Sequence, residues 1–261
     1  MQISVQRGVH GVILGVRAFP LASKGQSPVN WQNWTMLAFI AAHAIDLICF
    51  ALCATALLAY QIYLRRRTRR DPGSSAQDNM LLIRAAWVET VMQERRDILA
   101  VQTLRNSTMA ASLMASTAIL LILGVLTLSA QGDKLSGTWH VLNFLGQASA
   151  EMWLFKLLMM LFDLLFAFFA FSMSVRLFHH LGYSINVPLS LGLAQAQSTQ
   201  VVAQMNRAGI FYRIGTRAYF YIVPLLFWLF GPLLLLGSTV VLIFFLYHLD
   251  LAPRNTRDLL G

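Results

Sequence analysis

Four ionisable side chains sit where an apolar chain tolerates them least. His43 and Asp46 stand about one helical turn apart inside "AFIAAHAIDLICFALCATALLAY", and Lys156 and Asp163 about two turns apart inside "MWLFKLLMMLFDLLFAFFAF". A charge at the centre of a bilayer costs roughly 2.5–3.5 kcal/mol or more, so such groups pair or work. Three kinds of chemistry stay open. Lys156 can pair with Asp46 or Asp163 and lock two helices together. The carboxylates and His43 can hand on protons or cations. Asp46 or Asp163 can instead be protonated and serve as hydrogen-bonding packers. At about 1.5 Å of rise per residue, the two aspartates fall at similar depth. His43, Asp46, Lys156 and Asp163 thus make one candidate polar cluster if their helices adjoin.

A second pattern follows "RNS". Thr108, Ser112 and Ser116 recur at i, i+4 and i+8, beside a small face of Ser107, Ala111 and Ala115. Small residues let helix backbones approach closely; lining a hydrated path is the other use of such a hydroxyl stripe. Arg105, Arg176 and Arg217 stand at the basic ends of apolar runs and are candidate contacts for lipid phosphates or anions. Cys49 and Cys53 lie four residues apart in an apolar run and read as small packers. His179 and His180 are adjacent, so on a helix they point apart and bind metal poorly. No nucleophile elbow, phosphate-cradling glycine loop or zinc pattern occurs. A haem would find one intramembrane axial ligand, His43. No catalytic residue, cofactor or metal is expected, and the chain reads as no enzyme.

The elements that hold these residues are apolar helices. Hydrophobic residues make up 57% of the 261, and charged ones 12%, against roughly 25% charged in a soluble domain. The net charge of +9 is therefore read as loop charge that orients a membrane protein, with no nucleic-acid partner implied. Runs of about 20 apolar residues can span. Four qualify: residues 34–64, 108–130, 152–177 and 218–248. Pro224 and Gly231–Pro232 predict a bend in the last. Residues 65–105 hold nine arginines and residues 176–217 four. By the positive-inside rule these two loops are cytoplasmic, which puts both termini outside. The localisation expected is the cell membrane, integral and multi-pass.

Both basic loops carry helical patterns. "NMLLIRAAWVETVMQERRDILAVQTLRN" reads as one helix continuing into the second span, and "PLSLGLAQAQSTQVVAQMNRAGIF" as another that Gly209 ends. They form a cytoplasmic collar that either docks a partner or packs on its own chain. Residues 1–33 form an N-terminal extension, read either as a short interfacial helix or as a start placed too far upstream. Residues 34–250 form the membrane domain and 251–261 a tail.

The stretch "LAVQTLRNSTMAASLMASTAILL" (Leu99–Leu121) resembles the signature of a bacterial and plant membrane-protein family, domain of unknown function five-nine-nine. "IGTRAYFYIVPLLFWLFGP" is similar to that family's Gly-x-Arg…Pro-Leu…Trp-x-Phe-Gly-Pro segment, and "LYHLD" to its closing Tyr-x-x-Asp. "FSMSVR" and Asp46 also look like family positions. The resemblance covers roughly Trp34 to Asp250 and implies a four-helix integral membrane fold, with no activity attached. The fold class expected is an all-α bundle of four transmembrane helices with two amphipathic cytoplasmic loops. The function expected is a transport or ion-permeation component, oligomeric or with a membrane-protein partner, that uses the intramembrane ionisable residues. The alternative is a non-catalytic structural or regulatory protein that recruits a partner through its collar.

Overall fold

A computed structural model describes residues 40–70, 76–130, 149–186 and 194–250. The N-terminal extension, the loop with Lys134 and the C-terminal tail lie outside the described residues. Among the described residues six helices follow one another: α1 Ala44–Arg70, α2 Ala76–Gln93, α3 Asp97–Ala130, α4 Ala150–Ser184, α5 Ala194–Trp228 and α6 Pro232–Asp250. Four of them, α1, α3, α4 and α6, are long and apolar enough to cross a membrane. Their outward faces carry large apolar groups in the open, such as Leu120, Phe162 and Val241, each more than two-thirds exposed. In water such faces would drive aggregation; in a bilayer they meet lipid.

α4 is the central helix, packed along α3 on one side and along α5 on the other; α6 lies on α5, and α1 on α6. Small residues allow the close packing. Ala111 and Ala118 of α3, Ala167 of α4 and Ala208 of α5 are completely buried. The N-terminus of α4 is capped by Ser149, whose hydroxyl accepts from the Met152 amide at 3.1 Å, satisfying an otherwise orphaned donor.

Three expectations need correction. The run 218–248 is not one bent span. α5 ends at Trp228, the chain turns through Leu229–Gly231, and α6 returns alongside it. Gly231 has φ 143°, a conformation that glycine adopts without a Cβ clash. Pro232 then opens α6, where its missing N–H costs nothing. The return is antiparallel, because Asp250 at the end of α6 meets Arg217 of α5. Five helical segments therefore run between the end marked by Asp46 and the end marked by Arg217. The described chain starts at one end and finishes at the other, whereas placing both termini outside rested on four crossings.

The first collar helix does not continue into the second span. It stops at Gln93, and Arg95 takes φ 48° before α3 starts at Asp97. This break lets Val88 and Val91 of α2 share one buried cluster with Ala100 and Leu104 of α3. Nor does Gly209 end a helix, since α5 runs through it. The glycine serves close approach instead: a Cβ there would lie 2.1 Å from the Arg84 guanidinium. Val201 and Met205 of α5 complete the same cluster, so the collar packs on its own chain.

Candidate functional site

At one end of the bundle the polar groups form a closed knot. Lys156 Nζ lies 3.0 Å from Asp46 Oδ1, and donates to the Trp228 carbonyl at 3.1 Å. The Trp228 indole N–H donates to the same Asp46 oxygen at 3.0 Å. The ammonium also sits 5.4 Å from the Trp228 ring centroid, a cation–π distance. Phe50 stacks on that ring, and Phe155 meets it edge-on. Asp46, Lys156 and Trp228 are all buried. A buried pair is favoured by further hydrogen bonds to its members, and here the carbonyl at the end of α5 gives Lys156 a second acceptor while the indole gives Asp46 a second donor. The knot ties α1, α4 and the α5–α6 corner together.

His43 lies in the same region but on a different partner, with Nε2 2.7 Å from the Ser149 hydroxyl. It links the entry to α1 with the cap of α4. Asp163 is not in the knot. It stands seven residues along α4 from Lys156, about 10 Å of helix rise, and its buried Oδ2 has no hydrogen-bond partner among the described residues. The structure thus joins Asp46 to Lys156, sets His43 beside them on Ser149, and leaves Asp163 apart.

The hydroxyl stripe is not the helix-packing face of α3. Ala111, Ala118 and Val125 take that role. Thr108, Ser112 and Ser116 line an open groove of about 940 Å³ between α3 and α4, together with Arg105 and His179. Arg105 and Arg176 are exposed, and the three arginines read as anion contacts do not meet. Arg217 alone is built into a polar network. One of its guanidinium nitrogens donates to both Asp250 carboxylate oxygens at 2.6 Å. Tyr60 donates to Asp250 at 2.7 Å. Gln61 accepts from Arg217 and donates to Tyr221.

This network forms one wall of a cavity of about 650 Å³ between α1 and α5. Arg65, Thr68 and Arg69 project from α1, and Arg213 and Arg217 from α5, with Phe166 of α4 at the back. Arg65 and Arg69 are four residues apart and so share a helix face. Among the described residues, Asp250 is the one carboxylate paired with any of these four arginines. Arg213 Nε is buried with no acceptor among the described residues. Burial, then the neighbouring Arg217, push the Arg213 guanidinium down to about 10. Burial alone lowers Arg84 as well. Burial disfavours the charged form of both side chains, and at Arg213 the like charge of Arg217 adds to it.

Two features escaped the sequence reading. Trp228 is the hub of the knot, and its indole N–H in an apolar run was a signal that an acceptor must lie nearby. Gln61, Arg213 and Tyr221 line the basic cavity, for which the repeated Arg65 and Arg69 on one face of α1 was the available hint.

Fold and surface define a helical protein with four helices suited to crossing a membrane. The chain belongs to the family described as Protein of unknown function, DUF599, whose profile matches residues 48–255. No curated protein and no solved structure matched it.

Proposed function

We propose that this chain is a non-catalytic membrane protein of the transport class that handles an anion in the arginine-walled cavity. The observation that carries the reading is the charge of that wall, four guanidiniums against one paired carboxylate. A low-dielectric cleft lined by one sign of charge concentrates the opposite sign. The cavity reaches inward to Tyr221. Asp46 and Lys156 act in this reading as a lock between helices and not as ion carriers, since each is engaged by the other and by Trp228.

The positive-inside rule puts the basic end of α1 in the cytoplasm. The cavity mouth, beside Arg65 and Arg69, then opens to that side, and Asp250 lies there too. The test is uptake of a panel of anions, from chloride to organic phosphates, by proteoliposomes. Wild-type uptake above that of empty vesicles, lost in Arg213→Gln, is the expected result. Uptake equal to empty vesicles for every anion would overturn the transport reading.

A further inference from the structure

The cavity sorts its lining along the bundle axis. Arg65 and Arg69 lie toward the end of α1 and Arg213 one turn before Arg217 on α5, whereas Leu57, Leu58 and Phe166 lie deeper. An inorganic anion would need the basic part alone. The deeper part borders the bilayer-facing surface, because Leu58 is 61% exposed and Phe166 52%. At about 650 Å³ the space matches sites for drug-sized ligands. Three arginines, Arg65, Arg69 and Arg213, take part in no ion pair among the described residues. Basic pockets between membrane helices recognise phosphate headgroups.

We infer that the occupant is a phosphate-headed amphiphile. Arg65, Arg69 and Arg213 hold its phosphate, and Leu57, Leu58 and Phe166 take the start of an acyl chain. The inference rests on the reading of the cavity as an anion site, and it names the class of anion. Thr68, between the two α1 arginines in sequence, lines the same wall and supplies a hydroxyl to the headgroup. The lateral opening beside Leu58 and Phe166 lets the ligand enter from the bilayer without leaving lipid.

The experiment uses the full chain, purified and delipidated, with native mass spectrometry in the presence of phosphatidylglycerol, monoolein or inorganic phosphate. The expected result is retained phosphatidylglycerol and no retained monoolein. Each basic side chain near a phosphate contributes about a fivefold change in affinity. Arg65→Gln and Arg69→Gln should therefore each weaken retention by about fivefold. Both side chains are exposed at the cavity mouth, so neither variant threatens the fold. Phe166→Ala should weaken phosphatidylglycerol while leaving inorganic phosphate unchanged. Binding of inorganic phosphate with arginine dependence, and no retained lipid, would overturn the amphiphile and leave the anion site standing. Binding of neither would overturn both, and retention of phosphatidylglycerol unaltered in both α1 variants would overturn the amphiphile.

Discussion

Arg217 and Asp250 stand 33 residues apart in the chain, yet one guanidinium nitrogen reaches both carboxylate oxygens at 2.6 Å. The pair closes the hairpin formed by the second half of α5 and α6. It also joins "GTR" to "LYHLD", two of the stretches on which the family resemblance was drawn. With Tyr60 and Gln61 bound to the same two residues, α1 is fastened to the hairpin at this end. The Asp46–Lys156–Trp228 knot fastens it at the other.

Breaking this pair should be costly. Both side chains are mostly buried, 12% and 16% exposed, and removing one partner of such a pair typically destabilises by about 3–5 kcal/mol. Partial exposure puts Asp250→Asn and Arg217→Gln near the lower figure. Thermal unfolding in detergent measures it. The doubly exchanged Arg217→Asp, Asp250→Arg protein should recover part of the loss, and a double exchange worse than the sum of the two single charge reversals would argue against a direct partnership.

The hairpin sets the side on which the chain leaves the bundle. With the arginines of α1 in the cytoplasm, a reporter fused after Asp250 that works only in the cytoplasm should be active. This reverses the expectation from four crossings. A silent reporter, with the full-length fusion present in the membrane, would show that α5 and α6 do not double back in the cell.

The knot should behave as a lock. Lys156→Met leaves Asp46 and the Trp228 carbonyl short of a partner, at a cost of about 3–5 kcal/mol. Joint replacement, Asp46→Leu with Lys156→Met, should restore most of that stability and leave anion uptake intact. Loss of uptake in a well-folded double variant would return these residues to a role in conduction.

Gly209 is held by the collar. A larger side chain there meets the Arg84 guanidinium, the flexible end of a half-buried side chain that can move, so the cost falls at the low end of overpacking, about 1 kcal/mol. Gly209→Leu should loosen α2 from α5, seen as faster amide exchange at Val88 and Val91 with little change around Ala167. Unchanged exchange at Val88 would mean that Arg84 swings aside freely.

The hydroxyl stripe and the buried face of α3 make opposite predictions. Ser112→Ala with Ser116→Ala removes groups that border an open groove, so stability should stay within about 0.5 kcal/mol. Ala118→Leu, at a fully buried contact, should cost about 1–3 kcal/mol. Equal effects from the two would place the helix contact on the wrong face.

Hydropathy and length are local properties, and they made the helical class, the long apolar runs, the basic end of α1 and the basic stretch inside α5 readable from residues alone. The same local reading merged α5 and α6, because an apolar run has no marker for direction and Gly231–Pro232 suits a kink as well as a reversal. It also ran α2 into α3, since Glu94–Arg96 has ordinary helix formers and the break comes from the backbone at Arg95.

For the site, single residues were legible and their partnerships were not. The sequence by itself determined that Asp46, Lys156 and Asp163 are ionisable groups in apolar helices, since composition alone makes them exceptional. Only the tertiary structure decided that Lys156 belongs to Asp46 and not to Asp163. It also decided that Trp228, 182 positions from Asp46, completes the pair, and that four arginines from two helices surround one cavity. Such contacts arise from helices packed side by side, and packing depends on the shapes of both surfaces at once, which no single stretch of sequence contains.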